Sequence, residues 1–350
     1  MTCPVSILSL ATHTPPHELD QDTAVEVARA LLAGGFRDFE RMTSVFTNAG
    51  IQQRQLACPI DWYRDERSFA ERTAVYLDVG LELFIAAATK ALAEAGLAAE
   101  AVDTIVTVSS TGIATPSLEA RALGRMGFRT DVARVPVFGL GCAGGVSGLG
   151  LAAKLARATP GSVVLFVTVE LCSLAFQTGN IGKADIIAAA LFGDGAAACI
   201  IRTGDEGFVQ ITGSGEKTWP DTLDIMGWEI QPSGLGVVLN RAIPAFARAN
   251  MRSAIEGMLA PQGLTIAQID RFICHPGGAK VVDAIEQALS LNQGSLDHER
   301  EVLRGHGNMS APTALFVLDA VRKQGLPPLS VLTALGPGFT ASTITLRKAA

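Results

Sequence analysis

Cys142 lies in Phe138-Gly-Leu-Gly-Cys-Ala-Gly-Gly-Val-Ser147, between an apolar approach and a run of small residues that reads as the start of a helix. A thiol at a helix N-terminus feels the positive end of the peptide dipoles, which lowers its pKa from about 8.5 toward neutrality. The flanking glycines let a substrate approach closely, so the expectation is an acyl-accepting nucleophile. A small core cysteine in a tight turn would leave the same pattern. Of the five histidines, only His275 ends a buried strand, in Arg271-Phe-Ile-Cys-His-Pro-Gly-Gly278, while His13, His17, His298 and His306 sit in polar or turn-rich surroundings. A strand-end imidazole can take the Cys142 proton, giving a thiolate–imidazolium pair, and later hydrogen-bond a substrate carbonyl. A core histidine satisfied by backbone is the alternative. Asn308, in Gly305-His-Gly-Asn-Met-Ser310, can cap its helix or donate to an oxyanion or enolate.

Two glycine-rich stretches carry less. Gly139-Leu-Gly-Cys-Ala-Gly144 fits G-x-G-x-x-G, but the acidic ribose partner expected about 20 residues on is replaced by the apolar Val163 to Val169. Gly213-Ser-Gly-Glu-Lys-Thr218 fails the spacing of a phosphate loop.

The elements that must position these residues occur twice. Ala87 to Thr111 and Ser253 to Pro276 each read as helix, Gly-Leu turn, linker and buried strand, with Gly96, Leu97 and Asp103 matching Gly263, Leu264 and Asp270 at one constant offset. Nearly the same offset relates Gly141-Cys142, opening a helix at Ala143 to Arg157, to Gly307-Asn308, opening a helix at Ser310 to Lys323. Strands Val163 to Val169 and Leu329 to Ala334 follow. Each half closes with a glycine turn, Gly193-Asp194-Gly195 or Gly336-Pro337-Gly338, and a last strand, Ala196 to Arg202 or Phe339 to Arg347. The first half carries about two dozen extra residues near Leu171 to Leu191. An α/β chain of two pseudo-symmetric halves, 1–206 and 207–350, is therefore expected, each a mixed sheet with helices against it. The symmetry sets Cys142 opposite Asn308 across a shared crevice.

Composition bounds the rest. With 48% hydrophobic residues in 350, the chain has material for a large core, and a net charge of -6 with scattered cations argues against a nucleic-acid partner. Met1 to Pro16 lacks a basic leader, and no apolar run has the length of a membrane span, so a cytoplasmic protein without stable membrane insertion is expected. Cys3, Cys58, Cys142, Cys172, Cys199 and Cys274 form no C-x-x-C pair, which fits a reduced compartment and neither a zinc site nor a disulfide framework.

With these residues identified, the chain resembles the type III polyketide synthases, the chalcone synthase-like branch of the thiolase-fold condensing enzymes. The resemblance rests on Gly141-Cys-Ala-Gly-Gly145, Phe192-Gly-Asp-Gly-Ala-Ala-Ala198, His275-Pro-Gly-Gly278, Gly307-Asn-Met-Ser310 and Gly336-Pro-Gly-Phe-Thr340, in order and across nearly the whole chain. It implies a thiolase-like α-β-α-β-α layering and a homodimer that uses acyl-CoA and malonyl-CoA directly, with no metal or redox cofactor. It further implies that Cys142 accepts the starter acyl group, and that His275 and Asn308 bind the malonyl thioester carbonyl and stabilise the enolate left by decarboxylation. Phe192 would be the gatekeeper between CoA tunnel and cavity. Gly234, Gly336, Pro337 and Gly338 would shape the substrate cavity, and Thr115 would take the place of a methionine that reaches into the partner subunit's cavity.

Where plant enzymes have cavity threonines, this sequence has Cys172 and Ala175, which leaves room for a longer apolar chain. Ala334-Leu335 replaces a Gly-Phe pair. Arg54 is the remaining candidate for a phosphate contact at the tunnel mouth, since Gln52 and Gln53 replace basic residues. The expectation is a medium or long fatty acyl-CoA starter, extended by malonyl units to an alkylpyrone or alkylresorcinol-type product. A ketoacyl-carrier-protein synthase making one condensation is the nearest rival, although His275-Pro-Gly-Gly278 and Met309 favour the polyketide branch. An acyl thioester hydrolase is a further alternative.

Overall fold

Strands buried along their whole length must be covered on both faces, and the chain contains two that carry the repeat, Val164–Leu171 and Leu329–Gly336. In the computed structural model, which describes residues 4–32, 39–177 and 182–349, these are central strands of one large sheet. The strands in chain order are β1 (Val5–His13), β2 (His17–Asp20), β3 (Gln53–Leu56), β4 (Thr104–Val108), β5 (Ala133–Val137), β6 (Val164–Leu171), β7 (Asp194–Thr203), β8 (Val209–Thr218), β9 (Met226–Gln231), β10 (Gly234–Leu239), β11 (Arg271–Cys274), β12 (Leu329–Gly336) and β13 (Thr340–Lys348). The helices are α1 (Gln21–Leu32), α2 (Phe39–Met42), α3 (Ser44–Thr47), α4 (Phe69–Glu94), α5 (Leu118–Met126), α6 (Gly144–Ala158), α7 (Lys183–Leu191), α8 (Ile243–Leu259), α9 (Ala279–Leu289), α10 (Asp297–His306) and α11 (Ala311–Gly325).

The sheet runs β11-β12-β13-β8-β1-β7-β6-β4-β5. Its seam is the antiparallel pair β1–β8, in which Ser6 faces Gln210. Reading outward from that seam, β7 and β13 run antiparallel to their neighbours, and β4 and β11 lie parallel to β6 and β12. The halves thus repeat strand for strand, except that β5 has no counterpart among the described residues. The extra residues of the first half form the turn Cys172–Ala175 and α7, where the second half passes from β12 to β13 directly; positions 178–181 of that insertion lie outside the described residues, as does Cys3. Asp194 and Gly195 open β7 rather than a turn, because the amides of Ala57 and Ser173 donate to the Asp194 carboxylate at 2.6 and 2.8 Å.

The core is layered. Helices α6 and α11 lie between the two halves of the sheet, with Val146, Leu149, Leu315 and Leu318 packed against residues of both. Helices α4 and α5 cover the outer face of the first half, and α8 and α9 that of the second. This is the α-β-α-β-α order. Close contact of the inner helices depends on missing side chains. A Cβ at Gly145 would stand 2.2 Å from the Ala311 carbonyl oxygen at the start of α11, and, where α6 meets the sheet, one at Gly148 would stand 2.6 Å from Val108 of β4. The turns that precede α6 and α11, which hold Cys142 and Asn308, are thereby drawn together.

Candidate active site

Cys142, His275 and Asn308 line one cavity of about 310 Å³. Cys142 sits in the single turn Gly141–Ala143 before α6. Gly141 has φ +48°, and a side chain there would strike Pro337 at 2.6 Å, so the turn demands glycine. Behind it, the Ser110 hydroxyl accepts from the amides of Gly139 and Gly141 at 3.2 and 3.1 Å, while the Ser110 amide donates to both oxygens of Glu170 at 3.0 Å. Thr111 Oγ1 donates to the same carboxyl at 2.7 Å.

Asn308 is fixed from two sides. Its amide N–H donates to Leu191 O at 2.8 Å and its carbonyl accepts from Gly193, bridging it to Phe192. Its side-chain Oδ1 accepts from the Ser310 amide at 2.8 Å, and Nδ2 donates to Gly277 O at 3.3 Å. The Cys142 Sγ lies 4.0 Å from that Oδ1. Ser310, not Asn308, is the cap residue of α11, so capping does not account for the asparagine. His275 leaves β11 with its amide donating to Thr333 O at 2.8 Å. Both of its ring nitrogens are buried without a hydrogen-bond partner among the described residues, a cost that a hydrogen bond to a ligand would relieve.

Burial favours the neutral form of each reacting group. It pushes the Cys142 thiol up to about 11, with a hydrogen bond from Ser310 opposing and the charge of Glu170 adding to the rise. It pulls His275 down to about 4. Burial thus opposes the low thiol pKa and the thiolate–imidazolium pair expected from the sequence, while the helix start and the mutual attraction of the two charges favour them.

The other expected residues divide. Phe192 and Cys172 line this cavity and also an adjoining one of about 70 Å³, and Ala175 lines only the second. Phe192 meets Trp228 edge-on, with ring centroids 6.1 Å apart. Pro337 lines the main cavity. Gly336 does not: a Cβ there would meet Ala143 at 2.6 Å, so it braces the nucleophile turn. Gly338, at φ +71°, turns the chain into β13 and lines neither cavity. Gly234 is likewise absent from both linings and packs against Arg72. Thr115 is exposed and lines neither cavity. Arg54 is not at the mouth. It is 1% exposed and donates to the carbonyls of Ala189 and Phe192 at 2.6 and 3.2 Å and to Gln21 Oε1. Burial lowers it to about 10 against the opposing charge of Asp194, and a guanidinium so enclosed cannot reach a solvent-borne phosphate.

Glu170, Ser110, Thr111 and Ser310 were not singled out by type and spacing. One signal for Glu170 exists, a lone carboxylate near the end of an otherwise apolar strand. Burial raises it to about 8, against hydrogen bonds from Ser110 and Thr111. Five cysteines, Cys58, Cys142, Cys172, Cys199 and Cys274, are free and buried. Among the described residues no group of three or more His, Cys, Asp or Glu is placed to hold a metal, and no helix is long and apolar enough to cross a membrane.

Residues 61–205 match the N-terminal domain of chalcone and stilbene synthases, and residues 210–350 match their C-terminal domain. The chain belongs to the chalcone and stilbene synthase family. It is 40% identical to 1,3,6,8-tetrahydroxynaphthalene synthase of Streptomyces peucetius subsp. caesius, over 98% of this chain and 93% of that one. It is 28% identical to the alpha-pyrone synthesis polyketide synthase-like Pks18 of Mycobacterium tuberculosis, over 95% and 88% of the two chains. The crystal structure of the Streptomyces coelicolor A3(2) tetrahydroxynaphthalene synthase, a bacterial type III polyketide synthase, superposes with a TM-score of 0.93 at 26% identity, covering 99% of each chain. The protein is thus a type III polyketide synthase, an acyltransferase that forms carbon–carbon bonds by decarboxylating condensation.

Proposed function

We propose that Cys142 carries the growing chain and that His275 and Asn308 drive decarboxylation. The observation that carries this reading is the pair of unpartnered His275 ring nitrogens sharing with the Cys142 thiol a cavity with no carboxylate in its lining. Cys142 Sγ attacks the starter thioester carbonyl as its proton passes through His275 to the departing CoA sulfur, giving acyl-Cys142 and free CoA. The malonyl-CoA thioester oxygen then accepts hydrogen bonds from the neutral His275 ring N–H and from Asn308 Nδ2. The bond to the carboxylate breaks, CO₂ leaves, and its electron pair becomes the thioester enolate. The enolate carbon attacks acyl-Cys142 and releases the thiolate. Neutral donors at the enolate oxygen are what developing negative charge requires, and a carboxylate in their place would oppose it.

For the starter, we propose a fatty acyl-CoA of medium length, giving an alkylpyrone or alkylresorcinol-type product. The support is the adjoining apolar cavity beyond Cys172, walled by Leu19, Val27, Leu56 and Ala175. The main cavity, about 310 Å³, is at the low end for ligand sites of ~300–1,000 Å³, which favours medium over long chains. A second reading, priming by malonyl-CoA itself, is favoured by the 40% identity to a synthase whose ten-carbon product skeleton corresponds to five two-carbon units. Purified enzyme with malonyl-CoA and a panel of acyl-CoA starters, read by product mass, decides between them. A starter acid released without malonyl consumption would indicate a hydrolase, and a product one unit longer would indicate a single-condensation synthase. Products built from malonyl units alone, with every fatty acyl-CoA ignored, would refute the fatty starter.

A further inference from the structure

Ser310 stands in a backbone conformation that favours glycine. Its φ of 59° and ψ of -129° match the first central position of a type II′ turn, where a side chain is strained. Ser290 also has a positive φ, but at φ 58° and ψ 38° it sits in the left-handed helical region that non-glycine residues do visit. What Ser310 does through its backbone needs no side chain: its amide donates to Asn308 Oδ1 at 2.8 Å, and its carbonyl accepts from the amide and hydroxyl of Thr313 at 3.1 and 2.9 Å. Helix capping does not account for the serine either. Ser310 is the cap residue of α11, yet it makes no side-chain cap hydrogen bond, and the Thr313 amide goes to its carbonyl instead. Strain of this kind persists at functional sites, and what serine adds over glycine is one hydroxyl. Ser310 is 6% exposed and lines the cavity that holds Cys142 and His275. Among the described residues the only partner of its hydroxyl is the Cys142 thiol, whose pKa the contact lowers against burial. The sulfur needs such a donor. The Glu170 carboxyl behind it opposes charge on it, and Asn308 Oδ1, 4.0 Å from Sγ, is an acceptor that gives a thiolate nothing.

We infer that Ser310 is a further catalytic residue, its hydroxyl donating to Cys142 Sγ whenever the sulfur carries charge: as it attacks the starter thioester, and as it is expelled when the enolate takes the acyl group. The proton stays on the serine, so no bond to its oxygen breaks. The inference deepens the proposed condensation and rests on Cys142 as its nucleophile.

The test removes the hydroxyl and leaves the turn. Ser310→Gly suits the backbone and keeps the amide and carbonyl bonds, Ser310→Ala keeps the Cβ, and both lose the donor. In single turnovers read by mass spectrometry, acyl transfer from octanoyl-CoA or acetyl-CoA to Cys142 should fall about ten- to hundredfold in each, the range for a hydrogen bond to a charged group. Alkylation of Cys142 by iodoacetamide at a fixed pH should slow by about tenfold, because less of the sulfur is thiolate. Malonyl-CoA decarboxylation, which uses His275 and Asn308, should stay within about twofold of wild type, since both donors remain in place. A urea melt should place Ser310→Gly close to wild type. Wild-type acylation and alkylation rates in both variants would overturn the inference. Equal losses of acylation and decarboxylation would overturn it as well, since Ser310 would then be only a brace for Asn308. If the wild type formed no acyl-Cys142 from octanoyl-, acetyl- or malonyl-CoA, the proposed nucleophile would fall, and the alkylation series would still decide whether the hydroxyl stabilises the thiolate.

Discussion

Substituting Gly145 by alanine tests whether the inner helices set the reactive geometry. The added Cβ would lie 2.2 Å from the Ala311 carbonyl oxygen and 3.2 Å from its carbon, with rigid backbone on the far side. An ordinary carbon–oxygen contact is about 3.3 Å or more, so α6 and α11 must separate by about 1 Å. Overpacking of this kind costs ~1–3 kcal/mol, offset in part by a gain of up to ~1 kcal/mol for removing a helical glycine. Net stability should fall by about 1 kcal/mol, small enough for the variant to fold. Activity should fall much further. The widened seam moves the turn before α6 away from the turn before α11, where Cys142 Sγ and Asn308 Oδ1 now lie 4.0 Å apart. A misplacement of ~1 Å costs on the order of 100-fold in rate. The assay is malonyl-CoA decarboxylation and condensation beside a urea melt. Gly80→Ala is the control, since its Cβ would meet nothing closer than Leu118 at 3.6 Å. It should keep activity and match or slightly exceed wild-type stability. Wild-type kcat in Gly145→Ala would refute the claim that helix separation fixes the site.

Three further outcomes are expected. Asn308→Ala should lower malonyl-CoA decarboxylation by about 10²–10³-fold, the usual cost of one oxyanion donor, while mass spectrometry still detects acyl-Cys142. Arg54→Met should cost roughly 3–5 kcal/mol in a urea melt, because it strips a buried network and leaves Asp194 without its countercharge. The pH dependence of stability should carry the mark of His275, held at about 4 when folded against 6.5 in the unfolded chain. As pH falls the unfolded chain takes up this proton first, so about 3 kcal/mol present above pH 6.5 is lost on the way to pH 4, and His275→Gln should flatten that limb of a denaturation series.

The repeat was readable because helix and strand periodicities are local and a duplicated chain repeats them at a fixed offset. Cys142 and Asn308 stood out for the same reason, each following a glycine at an equivalent helix start. What the sequence hid was long-range. Arg54 looks like a surface cation among glutamines, and only the fold brings the carbonyls of Ala189 and Phe192 over it and Asp194 near it. Gly336 belongs to a motif that reads as cavity wall, yet its missing side chain serves contact with Ala143 across the two halves. The burial that opposes a low thiol pKa at Cys142 is also long-range, since a helix start is visible in sequence and burial depth is not.

The buried site follows one electrostatic logic. The proposed reaction makes negative charge twice, as thiolate when the chain is transferred and as enolate when CO₂ leaves. Burial works against standing charge in this region, pushing the Cys142 thiol up to about 11 and Glu170 behind it up to about 8. No carboxylate lines the cavity, so no fixed negative charge adds to either developing charge. In the proposed mechanism the donors on His275 and Asn308 act on charge as it develops, which lowers the barrier without tightening the ground state, and a depth of burial that penalises a permanent charge is what makes such transient donors effective.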